Sequence, residues 1–210
     1  ASGEITIDNC GSSGINNAVG TFMNAAKLSI GETGNVGGSG INNQANFRNN
    51  ASGEITIDNC GSSGINNAAG TFVNTAKIAI GKVSSVGNDG ILNQATFNNN
   101  TGGEITVDNT SKRAVDNYFA GTFTNAAKLT IGGTTSVGKY GIVNRATFYN
   151  NAGGDITVDN TSEGAVDNFA GTFVNAAKIA IGKVSSVDND GIFNRATFYN
   201  NAGGEITVDN

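Results

Sequence analysis

Gly14–Ile30 reads GINNAVGTFMNAAKLSI, and Gly40–Ile57 reads GINNQANFRNNASGEITI. Laid over each other, the two stretches share Gly-Ile-x-Asn and then a Phe followed two residues later by Asn. Each then closes on a charged residue ahead of two aliphatics spaced by one. Working outward, residues 1–18 recur unchanged at 51–68, and 152–160 recur almost unchanged at 202–210. The sequence therefore repeats at about 50 residues (about 1–50, 51–100, 101–151 and 152–201, with a partial unit 202–210), while a weaker half-repeat sets a structural unit of about 25. Internal self-similarity at this period is the signature of a solenoid in which stacked units share one core.

Four columns support the half-repeat. One Phe falls in each unit: Phe22, Phe47, Phe72, Phe97, Phe123, Phe148, Phe173 and Phe198. Two residues after each stands an Asn: Asn24, Asn49, Asn74, Asn99, Asn125, Asn150, Asn175 and Asn200. A second Asn column lies upstream at Asn17, Asn43, Asn67, Asn93, Asn117, Asn144, Asn168 and Asn194, and aliphatic pairs such as Leu28/Ile30 and Ile55/Ile57 close each unit. Short alternating runs broken by Gly, Asn, Ser and Asp read as strands and turns, and no apolar i, i+3, i+4, i+7 pattern persists. The reading is all-β: one parallel β-solenoid domain over 1–210, of about eight coils of 24–27 residues with three short strands each. The usual hand of parallel crossovers makes it a right-handed β-helix. Coils then stack at about 4.8 Å, so the Phe column becomes a pile of rings and each Asn column an amide ladder. Asn at a corner also suits the left-handed backbone of a tight bend.

Charge gives the strongest argument. The residue before each aliphatic pair runs Glu4, Lys27, Glu54, Lys77, Glu104, Lys128, Asp155, Lys178, Glu205, alternating in sign throughout. One such residue per coil sets every acid beside a base above and below, which fixes register and explains why the sequence repeats over two coils.

Composition narrows the function. The chain has 31 Gly and no Pro, His or Trp, with 12 Lys and Arg against 17 Asp and Glu. An acidic chain of this kind offers no basic stripe for nucleic acid, and no run of about 18 apolar residues spans a membrane. Each acidic or basic position is copied in the next unit, so no unique catalytic constellation stands out, and neither cofactor nor metal is called for. The chain begins inside a repeat, which reads as an excerpt of a longer protein or a filament subunit.

The pattern GIxNxATFxNNxGGEITVDN resembles the Asn/Gly/Thr-rich β-helix repeats of bacterial surface adhesins and secreted passenger domains. That resemblance covers the whole chain and implies a secreted, cell-surface or extracellular structural role, as an adhesive shaft or fibre subunit. Self-association, end to end or lateral, or continuation into further coils follows as the partner expectation. Direct stacking of the last coil on the first would oppose Glu205 to Glu4, so a partner coil carrying Lys is expected between them.

Several positions carry a second reading. Cys10 and Cys60 share a column two coils apart, about 9.6 Å by coil spacing, too far for a mutual disulfide. They read as small reduced turn residues or as an intermolecular link, and Thr110 and Thr161 hold the same column later. Asn88-Asp89-Gly90 and Asp188-Asn189-Asp190-Gly191 read as solvated turns or as fragments of a calcium loop, which lacks the remaining ligands. Thr precedes Phe in seven of the eight coils, but the other outward position on that strand is uneven in size and charge, which argues against a flat ice-binding face. Tyr149, Tyr199, Arg145 and Arg195 appear only in the later units and could form an aromatic–guanidinium strip for a glycan.

Overall fold

A computed structural model describes residues 3–209. The first circuit consists of strands Glu4–Ile7, Ile15–Asn17 and Thr21–Asn24, and the next begins at Lys27–Ile30. This pattern continues to Glu205–Val208, giving three parallel sheets of nine, eight and eight strands. We number coils from their first strand: coils 1 to 8 begin at Glu4, Lys27, Glu54, Lys77, Glu104, Lys128, Asp155 and Lys178. Among the described residues no helix is long and apolar enough to cross a membrane.

The charged column lies in register as read from the sequence: Glu4 faces Lys27, Lys27 faces Glu54, and the alternation continues to Lys178 against Glu205. Alternation inside each strand follows from its period of two. In Lys77–Ile80, Ile78 and Ile80 point inward while Lys77 and Ala79 point out. The Phe column forms a continuous stack from Phe22 to Phe198, with ring centroids 4.6–4.9 Å apart and planes within 12°. The six inner rings are fully buried. A buried Phe contributes about 1.5–3 kcal/mol, so one ring and a few aliphatics per coil sustain a thin core.

Both Asn columns are inward-facing ladders. Each amide Nδ2 donates to the Oδ1 of the next coil's Asn at 2.7–2.9 Å along the column from Asn17 to Asn194. The column from Asn24 to Asn200 repeats this at 2.8–2.9 Å. The same nitrogen also serves a corner carbonyl, as Asn74 does for Ala76 at 2.8 Å. Buried polar groups are tolerated only when paired in this way.

Three expectations need correction. Ladder asparagines do not adopt left-handed backbone, because they end strands and must keep extended geometry to face inward. The asparagines with positive φ are Asn9, Asn59, Asn109 and Asn160, a separate column after the first strand. Coil length is not a spread over 24–27 but an alternation: 23 residues from Glu4 to Lys27, 27 from Lys27 to Glu54, and 24 for the coil begun at Glu104. Charge alternation also yields few closed contacts. Among the described residues, only Lys27–Glu4 at 2.6 Å and Lys128–Glu104 at 2.8 Å are direct ion pairs within this column. Both are half exposed, so solvent competes for the long side chains and the pairs act on register more than on stability.

The alternation in coil length has its own device. The residue after the first strand runs Asp8, Gly31, Asp58, Gly81, Asp108, Gly132, Asp159, Gly182. Coils with Gly carry a longer loop, and the Asp of the coil before holds it. Asp58 accepts from the Val83 and Ser84 amides at 2.9 and 3.0 Å. Asp108 accepts from the Thr134 amide and hydroxyl at 3.2 and 2.9 Å. Gly81 sits at φ 69°, and a Cβ there would overlap the Asp108 carbonyl oxygen. The two-coil period therefore has a second cause beside charge: tight corners and looped corners must alternate.

Candidate functional site

The first sheet keeps its alternating charges along the whole rod, whereas the outward position of the second sheet changes chemistry midway. That position runs Asn16, Asn42, Asn66, Leu92, Asp116, Val143, Asp167, Phe193. In coils 1 to 3 these residues form an outer amide ladder, Asn42 to Asn16 at 3.1 Å and Asn66 to Asn42 at 3.0 Å. In coils 5 to 8 a charged and aromatic surface replaces it.

That surface is built by the residue following the upstream Asn ladder: Ala18, Gln44, Ala68, Gln94, Tyr118, Arg145, Phe169, Arg195. Backbone hydrogen bonds continue the parallel register through these positions, for example Arg145 N to Asn117 O at 2.8 Å and Phe169 N to Asn144 O at 2.9 Å. Rings and guanidinium groups consequently alternate up one edge of the rod. The Arg145 guanidinium carbon lies 5.2 Å from the Tyr118 ring centroid and 5.6 Å from that of Phe169. Arg195 lies 4.0 Å from Phe169 and 4.9 Å from Phe193. Cation–π contacts of this kind hold the guanidinium planes in place.

Carboxylates complete the network. Arg145 Nη1 donates to both oxygens of Asp116 at 3.1 and 2.9 Å. Arg195 Nη2 donates to Asp167 Oδ2 at 2.6 Å, and Arg113 bridges Asp89 at 2.7 Å and Asp116 at 2.7 Å. Asp89, Asp116 and Asp167 are buried. Loss of solvation pushes the Asp116 carboxyl above its ordinary value despite both arginines. Asp167 Oδ1 is buried with no hydrogen-bond partner. A groove beside these residues is lined by Lys112, Lys139, Tyr140 and Arg195 among others. Next to it the corner after Asn117 gains one residue, and Phe119 stands out, 79% exposed at φ 62°. A bulky residue in left-handed backbone is strained, and such strain clusters at functional positions.

The structure separates the strip expected from sequence. Arg145 and Arg195 belong to this edge, whereas Tyr149 and Tyr199 point outward from the third sheet, in register with Thr124 and Val174. The aromatic partners of the arginines are Tyr118, Phe169 and Phe193, which the sequence reading passed over. Aligning the residue after each upstream Asn would have exposed their alternation with Arg. Asp89, read as part of a solvated turn, is instead buried against Arg113, while Asp190 opens an exposed strand.

The two cysteines lie in one column with Val36 between them, two coils apart as read. Cys60 is 3% exposed, and burial pushes its thiol up to about 12. The burial of Cys60 therefore opposes an intermolecular link through its thiol, since the reacting thiolate would be both hidden and disfavoured. Cys10 is half-buried and its Sγ lies 3.7 Å from the Asp8 carbonyl oxygen. On the third sheet the Thr column shares its outward face with Met23, Arg48, Val73 and other unlike residues, so the surface is uneven. Comparison with known proteins finds no matching family model, no matching curated protein and no matching solved structure.

Proposed function

We propose that the chain is a structural shaft of an extracellular or cell-surface protein, a rigid element that spaces or displays other parts and packs into a filament. The carrying observation is the unbroken axial lattice: eight stacked Phe rings and two inner amide ladders pass through every coil with the same partners. Each coil is bonded only to its neighbours, so coils add length without changing the core. Such a design suits reach and display, and its Asn- and Thr-rich, weakly charged exterior suits exposure outside a cell. The resemblance to adhesin-type β-helix repeats supports the same reading, and the regular repetition of the first sheet's acids and bases fits a structural role.

Electron microscopy of the purified chain, combined with sedimentation at rising concentration, tests this. Filaments or bundles of rods with a meridional spacing of about 4.8 Å are expected. Single-chain particles that stay monodisperse at millimolar concentration would overturn the filament-forming role.

A further inference from the structure

The first two 50-residue units are an internal control for the last two. Coils 1 to 4 build the same solenoid with Asn66 and Gln94 at the positions where coils 5 and 6 hold Asp116 and Arg145, and Gln94 Nε2 reaches Asn66 Oδ1 at 3.4 Å. The charged network of coils 5 to 8 is thus not required to form a coil. Burying Asp116 and Asp167 also disfavours folding relative to the neutral amides, because a buried ion pair seldom recovers the solvation it gives up. A set of coordinated replacements that the lattice does not need, and that weighs against it, points to binding.

We infer that the second-sheet edge of coils 5 to 8 is a binding site for an acidic polysaccharide lying along the rod axis. Three features identify the ligand class. Arg145 directs only Nη1 to Asp116, and Arg195 only Nη2 to Asp167, so each guanidinium keeps donors for a carboxylate. Ring stacking and the aspartates have already fixed their planes, which lowers the ordering cost of binding. Lys112, without an ion pair among the described residues, and Lys139 border the same groove. Second, the exposed rings of Tyr118, Phe169 and Phe193 stand beside the two guanidiniums, apolar faces that suit a pyranose ring and that a polyanion without rings cannot use. Third, Arg145 and Arg195 stand two coils apart, about 9.6 Å, the length of a disaccharide in an extended chain. A carboxylate on alternate sugars would meet each arginine in turn, with the exposed Phe119 ring offered to a pyranose face.

The test uses the full chain and a variant carrying Asp116→Asn, Arg145→Gln, Asp167→Asn and Arg195→Gln, which restores the residues of the first units and so keeps the fold. Oligogalacturonate, a neutral β-linked glucan and poly-glutamate are titrated by calorimetry, with circular dichroism confirming that both proteins are folded. The site predicts binding of oligogalacturonate by the natural chain, at least a tenfold loss in the fourfold variant, and no such loss on Tyr149→Ala with Tyr199→Ala. Equal binding of poly-glutamate would overturn it in favour of a generic anion surface. Equal binding of the neutral glucan would overturn the role of the arginines, and the absence of any oligogalacturonate binding would overturn the site itself.

Discussion

At the scale of single residues, the most constrained side chain is an amide with partners on both axial sides. Asn99 accepts from Asn74 at 2.9 Å and donates to Asn125 at 2.8 Å and to the Lys128 carbonyl at 3.0 Å. Asn99→Ala removes three hydrogen bonds, although Asn74 Nδ2 keeps the Ala76 carbonyl; at about 1–3 kcal/mol for each buried group left short of a partner, a loss of roughly 3–5 kcal/mol is expected in urea unfolding. Asn99→Asp should be at least as harmful, because a carboxylate cannot donate to Asn125 Oδ1. A cost no larger than that of an exposed Asn, such as Asn100→Ala, would deny the ladder its role. The thiols give a second check. Native protein should expose one reactive thiol, Cys10, to a thiol reagent, and a second, Cys60, only on unfolding; equal rates would contradict the burial of Cys60. The sequence made the ladder columns visible because they recur at fixed spacing. It hid their backbone geometry, since Asn serves both as an inward strand end (Asn74) and as a left-handed corner (Asn59), and only topology distinguishes the two.

Strands and corners set the next scale. The first sheet's outer charges were legible as alternating signs, but direct closure depends on side-chain reach and solvent competition, which a column of letters does not encode. Where a pair does close, it leaves a pH signature. Lys128, hydrogen-bonded to Glu104, holds the Glu104 carboxyl below its ordinary value of 4.5. A depressed carboxyl contributes stability above its unfolded value and loses that contribution as pH falls through the folded one. The stability gap between the natural chain and Glu104→Gln should therefore be present at neutral pH, begin to shrink as pH falls below about 4.5, and disappear only once pH is below the depressed folded value; a gap that persists undiminished at pH 2 would contradict this origin. Corners respond differently. Asp108 is buried beneath the loop containing Thr134 and Thr135, so Asp108→Ala should speed amide exchange in residues 132–136 far more than elsewhere. Uniform acceleration over the whole chain would instead mark Asp108 as part of the global core. The Asp/Gly alternation was present in the sequence as clearly as the Glu/Lys one. It stands four residues after the Glu/Lys column in every unit, but letters alone do not separate a buried Asp that accepts from the next coil's loop amides from an Asp in a solvated turn.

Over the whole molecule, a thin core is made sufficient by repetition. Each coil adds one Phe to the stack and one rung to each ladder, so stability is close to a sum of coil and interface contributions. Duplicating residues 51–100 in place should add two coils, about 9.6 Å of length at unchanged cross-section in solution scattering. It should also raise the melting temperature, whereas a widened cross-section would show that coils are not interchangeable. The solenoid class was readable because a repeat supplies its own alignment. The edge carrying Arg145 and Arg195 was readable only in part: its residues are novelties of coils 5 to 8, and their partners sit one coil away in space but 24 to 29 residues away in sequence.

Every conclusion rests on one circuit per half-repeat, and distances between nitroxide labels test that directly. Lys27, Lys128 and Lys178 occupy the same outward column in coils 2, 6 and 8. Labels at Lys27 and Lys128 should lie about 19 Å apart, and labels at Lys27 and Lys178 about 29 Å, with narrow distributions in both cases. Equal distances for the two pairs, or broad distributions with no axial progression, would contradict the stacked-coil architecture and the roles assigned to it.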